Sequence, residues 1–226
     1  MITAAIFDMD GLLFNSEPLW QEAEYDVFSR LGVSVTPALT AITAPMTTQE
    51  VTQFWYQQQP WQDETLAEVE QAVIDRVESL IKQKGEAKPG VKSVLKLCCE
   101  QGLKIGLATN SPSQLIPVIL DALGVRHYFD AITSSQQVAK GKPWPDVYLK
   151  TAQKLNVSPN ECMVFEDSVS GLKAALAANM RTIVVPESDH FDRPEFDLSG
   201  LKLKSLSDFR THHFDLLKKL LSNIYA

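Results

Sequence analysis

The sequence predicts a doubly wound α/β protein: a Rossmann-like parallel sheet with helices on its faces and a helical insertion after the first strand. Three observations predict it. Short, uniformly apolar runs recur along the chain, segments of helical period lie between them, and one stretch near the N-terminus breaks that alternation.

Residues 2–7 are too short for a helix and too evenly apolar for a half-exposed strand, which suits a strand buried on both faces. Residues 103–109, 162–165 and 182–185 repeat the pattern, and 129–133 repeat it more weakly. Between them, Val91, Val94, Leu95 and Cys98 recur at helical spacing, with Gly102 as the stop. Residues 115–123 and 146–155 read as helices ended by Gly124 and Asn156, and the alanine-rich run 168–178 as another. The stretch 15–88 holds no comparable strand. Within it Leu66, Val69, Val73, Val77 and Leu80 or Ile81 mark a long amphipathic helix over 64–82. The expected organisation is a core domain of residues 1–14 and 89–226, with residues 15–88 inserted as a helical cap that returns through 84–90.

Composition narrows the class. The chain has 226 residues, 45% apolar and 22% charged, as ordinary globular proteins do. A formal net charge of -7 speaks against nucleic acid or an anionic membrane as partner, while a local pocket can still receive an anion. Cys98 and Cys99 are adjacent and Cys162 is remote, a sparse odd set that reads as reduced thiols used for packing. No basic leader and no apolar run of membrane length occurs in the sequence. The expectation is a cytoplasmic monomer.

The strand ends carry the chemistry. In an open parallel sheet, ligands bind at the carboxyl ends of the strands. Here the first strand runs into Asp8, Met9, Asp10 and Gly11, the second into Thr109, Asn110 and Ser111, and the next into Glu166 and Asp167. Lys142 precedes a helix whose start is marked by prolines. Carboxylates, a hydroxyl and an ammonium around one crevice suit phosphoryl transfer. A hard cation such as Mg²⁺ takes oxygen ligands and substrate phosphate, and Asp8, Asp167 and the Met9 carbonyl are candidates to hold it. A carboxylate can also attack phosphorus itself. On that reading Asp8 is the nucleophile, and Asp10 the acid and base for leaving group and water. Lys142 offsets the charge, and Thr109 and Asn110 hold phosphate oxygens.

Four segments in order, FDMDG, ATNSP, GKPWPD and FEDSVSG, resemble the four motifs of the haloacid dehalogenase superfamily. Together they span the chain from the first strand to residue 171, and the gap after the first motif matches an inserted cap. The resemblance implies a HAD-like fold with Asp8 as nucleophile, Asp10 as acid/base, Thr109 as the second-motif hydroxyl, Lys142 as the motif lysine and Asp167 as a metal ligand. Members differ at Glu166, which is a further metal candidate, as is the Asp10 segment through its backbone or a water. GLLFNSEPLW resembles most a branch acting on hexose and hexitol phosphates, including 2-deoxyglucose-6-phosphate. Asn15 departs from it, standing where many members carry an acid.

Asp10 argues against dehalogenation, because dehalogenating members bind no Mg²⁺ and lack that second acid. A mutase resembling β-phosphoglucomutase would need cations for a second phosphate. Between Arg30 and Arg76 there is neither Lys nor Arg, leaving only cap-edge Lys82, Lys84 or Lys88 to reach in. A phosphatase for monophosphorylated sugars therefore ranks above the mutase, and a phosphate-binding regulator ranks below both, since both aspartates are kept. His127, His190, His212 and His213 fall outside every motif and are expected on the surface or in structural roles. Trp55, Tyr56 and Trp61 are expected in the cap core, with Trp20 close enough to the first motif to face the crevice.

Overall fold

The computed structural model describes residues 1–44 and 46–219. Six parallel strands form one sheet: β1 (Ala4–Phe7), β2 (Lys104–Thr109), β3 (Ala131–Ser134), β4 (Cys162–Glu166), β5 (Arg181–Val184) and β6 (Leu201–Lys202), in the order β3-β2-β1-β4-β5-β6. Every residue of β1 and β4 is buried, which is why their sequences are apolar without alternation. The two-residue edge strand β6 is the one the apolar pattern does not mark. The strand order reverses between β1 and β4, which opens a crevice at their carboxyl ends.

Alternate strand residues face two layers. Ala5, Phe7, Ile105, Leu107, Met163 and Phe165 pack with helices α5 (Val91–Glu100) and α6 (Leu115–Leu123). Ala4, Ile6, Ala108 and Val164 pack with α7 (Asp146–Leu155) and α8 (Val169–Ala177). The Phe7 and Phe165 rings stack at 4.5 Å across β1 and β4, directly beneath the strand ends. A last helix, α9 (Thr211–Lys219), adds Phe214 and Leu217 to the first layer. Gly124 and Asn156 end α6 and α7 in left-handed geometry, at φ 65° and 55°. Cys98 and Cys162 are buried, but Cys99 is exposed, because α5 turns Val91, Val94, Leu95 and Cys98 inward and the next residue out.

Between β1 and α5 lie helices α1 (Glu17–Arg30), α2 (Pro37–Thr43), α3 (Thr48–Gln58) and α4 (Leu66–Lys84). Capping boxes at Thr47–Glu50 and Thr65–Glu68 start α3 and α4. Phe28, Trp55, Trp61, Val69, Val73 and Val77 are buried between them. The insertion leaves and returns at one place: Phe14 bridges Ala87, Lys88 N–H donates to Leu13 O at 3.0 Å, and Asn15 N–H to Glu86 O at 3.4 Å. Among the described residues no helix is long and apolar enough to cross a membrane.

Candidate active site

The carboxyl ends of β1 and β4 bring Asp8 and Asp167 to the switch point, and Lys142 enters from the loop before α7. Lys142 Nζ donates to Asp8 Oδ1 at 2.5 Å and to Glu166 Oε1 at 2.6 Å, with all three side chains buried. Glu166 is fully enclosed. Tyr148 Oη donates to Oε1 at 2.5 Å, while Oε2 accepts from Asp167 N, Ser168 N and Ser168 Oγ. Gly171 makes this enclosure feasible, since a Cβ there would stand 1.8 Å from Glu166 Oε1. The N-cap of α8 is Ser168, whose hydroxyl accepts from Gly171 N–H; Asp167 is thereby free of that duty.

Asp10 is held apart from this group. Its Oδ1 accepts the indole N–H of Trp20 at 3.1 Å, and its Oδ2 accepts Ser111 Oγ at 2.5 Å and Thr109 Oγ1 at 3.3 Å. Thr109 in turn accepts Ser111 N–H. The side chain of Asn110 brackets Lys142, accepting from its N–H at 2.8 Å and donating to its carbonyl at 3.1 Å. The Met9 carbonyl accepts Leu13 N–H and the Met9 side chain is buried. Trp20, Ser111, Tyr148 and Gly171 complete the network. Of these the sequence marked Trp20 as facing the crevice, Ser111 as a strand-end residue and Gly171 as the close of the fourth motif; Tyr148 carried no signal, its partner Glu166 lying 18 residues on.

The electrostatics of the cluster leave a deficit of positive charge. Burial pushes the Asp8 carboxyl up to about 8; Lys142 pulls it down while Glu166 and Asp10 push further. Burial, Glu166 and Asp8 likewise hold Asp167 well above the usual carboxylate range. Burial also works against charge on Glu166, yet Lys142 and the hydrogen bonds from Lys142, Tyr148 and Ser168 outweigh it and keep this carboxyl below its ordinary value. Oxygens of Asp8, Glu166 and Asp167 lie within 4.8 Å of one another, three carboxyls facing the single ammonium of Lys142. A divalent cation fits that donor set, being hard, oxygen-seeking and of matching charge. Gly11 belongs to the same fit: at φ 73°, its missing side chain leaves room for Asp167 Oδ2, which a Cβ would approach to 2.0 Å.

Above the cluster lies a cavity of about 840 Å³, within the range of small-molecule sites. Asp8, Asp10, Thr109, Asn110, Lys142 and Asp167 form its floor, and Trp20, Gln21, Glu24, Thr43 and Thr47 part of its cap wall. Lys173, His190 and Arg193 line it from the core side; all three are exposed. His190 therefore stands on the surface as expected, at the rim of the cavity. The cap-edge lysines are committed elsewhere: Lys82 to Glu78, Lys84 to Glu22 and Lys88 to Glu187.

A model of the haloacid dehalogenase-like hydrolase family matches residues 2–179. The chain belongs to this family. It is 43% identical over 212 residues to hexitol phosphatase B of Escherichia coli K12, covering 92% of this chain and 94% of that one. With such a relative along nearly its whole length, it is an enzyme and a phosphatase. Among solved structures it resembles CbbY from Rhodobacter sphaeroides in complex with phosphate, with TM-score 0.83, 27% identity, and 92% and 96% of the two chains covered. It shares its fold with β-phosphoglucomutase from Clostridium difficile, with TM-score 0.84, 23% identity, and 98% and 100% covered.

Proposed function

We propose that this phosphatase hydrolyses the monophosphate esters of sugars or sugar alcohols, such as hexitol phosphate or 2-deoxyglucose-6-phosphate, through an aspartyl-phosphate on Asp8. One observation carries the reading: the two aspartates of a single strand end stand in separate environments. Asp8 is fixed by Lys142 in the carboxylate cluster, and Asp10 is turned to Trp20, Ser111 and Thr109.

Asp8 Oδ attacks phosphorus and the ester oxygen departs, taking a proton from Asp10. Asp10 then removes a proton from the water that cleaves the acyl phosphate, which restores Asp8. Lys142 orients Asp8 and offsets phosphate charge, with Glu166 and Tyr148 holding the ammonium in place and Asn110 fixing the main chain beneath it. Thr109 and the backbone at Met9 and Asp10 face the phosphate, Thr109 also placing Asp10. Asp8 and Asp167 would hold Mg²⁺, which supplies charge stabilisation for the transferring phosphoryl group. Glu166, saturated by its own hydrogen bonds, serves Lys142 more than a metal. Residues 15–88 act as the cap that shuts out bulk water. We place the enzyme in the cytoplasm as a monomer.

One observation favours a mutase or a bisphosphate substrate instead, namely Lys173 and Arg193 at the rim. The cap wall opposite offers Glu24 and no free cation among the described residues, so the monophosphate reading stands above it. The test is phosphate release with and without Mg²⁺ on a panel of sugar and polyol phosphates, with Asp8→Asn as control and acid-quench trapping of the phosphoenzyme. Conversion of β-glucose-1-phosphate into glucose-6-phosphate without phosphate release would replace phosphatase by mutase.

A further inference from the structure

The cap wall contains a carboxyl, Glu24, that no cation among the described residues pairs with. Glu24 sits on α1 one helical turn beyond Trp20, on the same face, about 6 Å farther along the axis from the residue that touches Asp10. It lines the cavity that holds Asp8 and Asp10. Its Oε2 makes no hydrogen bond of ordinary geometry among the described residues; the group that acts on it is the Trp55 indole, whose N–H is likewise unpaired and pulls the Glu24 carboxyl down. One indole N–H leaves most of the hydrogen-bonding capacity of a carboxyl unused.

Its neighbours on the wall are already occupied. Gln21 donates to Glu17 Oε1, Thr43 Oγ1 donates to Thr40 O, and Thr47 is spent in the capping box of α3. No ion pair reaches Glu24 among the described residues, although Arg76 and Lys84 both pair with Glu22 two positions earlier. A carboxyl that lines the cavity without an ion pair is suited to a neutral ligand rich in hydroxyls and ill suited to a second anion.

We propose that Glu24 is a specificity-determining residue, whose carboxyl hydrogen-bonds hydroxyl groups of the sugar or polyol esterified to the phosphate at Asp8. This deepens the proposed function and rests on it. Burial pushes the Glu24 carboxyl up to about 7, the nearby Trp55 indole pulling the other way, so near neutrality it both donates and accepts. Sugar hydroxyls require both. Trp20 bonds Asp10 and Glu24 lies one turn farther along α1, so a ligand that reaches both carboxyls extends beyond the carbon bearing the phosphate.

The experiment is kcat/KM on sorbitol 6-phosphate and on phenyl phosphate, which has no hydroxyl in its leaving group, for wild type, Glu24→Gln and Glu24→Ala. Taking the ratio of the two removes any effect of partial unfolding, since one active population cleaves both esters. We expect the ratio to fall about tenfold in Glu24→Ala and less in Glu24→Gln, which keeps a donor and an acceptor. A ratio within about twofold of wild type in both variants, or equal losses on both esters, overturns the role of Glu24. Wild type that prefers no polyol phosphate over phenyl phosphate overturns the sugar-phosphatase reading itself, and that result needs no variant.

Discussion

The indole N–H of Trp20 donates to Asp10 Oδ1 at 3.1 Å, a direct bond from the first cap helix to the proposed acid and base. Trp20→Phe keeps the ring and deletes the donor. A hydrogen bond to a charged group contributes about 1.5–3 kcal/mol, so kcat/KM is expected to fall roughly tenfold to a hundredfold. Steady-state kinetics on a sugar phosphate check this, and unchanged kinetics would detach the cap from the positioning of Asp10.

Tyr148→Phe leaves Glu166 Oε1 with Lys142 alone. The buried acceptor loses one partner, at a cost of about 1–3 kcal/mol. The melting temperature should drop by roughly 2–10 °C for a chain of this size. Lys142, less firmly held, should lose rate as well, so calorimetry and kcat are expected to move together.

Proton release should accompany cation binding. In the metal-free protein burial pushes Asp8 up to about 8 and holds Asp167 above its usual range, so a cation binding there must displace the proton that Asp8 holds below about pH 8. The affinity for Mg²⁺ should therefore rise as pH increases toward about 8. Titration calorimetry in buffers of different ionisation enthalpy, at about pH 6.5 and about pH 8.5, measures it. Equal affinity at the two values would place the cation away from these carboxylates.

Glu24 gives stability a pH dependence of known sign. Its carboxyl lies at about 7 in the fold, raised by burial from an ordinary 4.5. Between those values the folded chain binds more protons than the unfolded one, so stability is full below about 4.5 and is lost as pH rises to about 7. Relative to Glu24→Gln, wild type should lose up to about 3 kcal/mol across that window. Urea unfolding at about pH 5 and about pH 8 checks it; a difference independent of pH would contradict the burial of this carboxyl.

Ala4–Phe7 and Cys162–Glu166 announce themselves in the sequence because a strand buried on both faces has no polar face to disguise it. The groups that follow such strands fall at the sheet's carboxyl edge by topology alone, and so Asp8, Thr109 and Asp167 could be assembled on paper. Lys142 was legible through its proline-marked helix start. The remainder depends on where helices dock. Tyr148 is an ordinary apolar-face residue of α7 until Glu166 is set beneath it, and Glu24 is one of many cap acids until α1 turns it inward. Thr43 and Met46 line the cavity from short cap segments whose own sequences carry no strong period. The leaving-group side was therefore unread, while the phosphate side was clear.

The hydrogen-bonded neighbours Leu13 and Lys88 mark where the polypeptide departs from the sheet and comes back to it. Both crossings lie side by side, at the end of the strand that pairs with β2 and β4. A chimaera that exchanges the 72 residues from Asn15 to Glu86, with the seam at Phe14 and Ala87 left untouched, is therefore expected to fold, as circular dichroism and melting would check. On the proposed division of labour such a chimaera is expected to exchange the molecule that is recognised while keeping the phosphate chemistry, read as a changed order of kcat/KM across sugar phosphates.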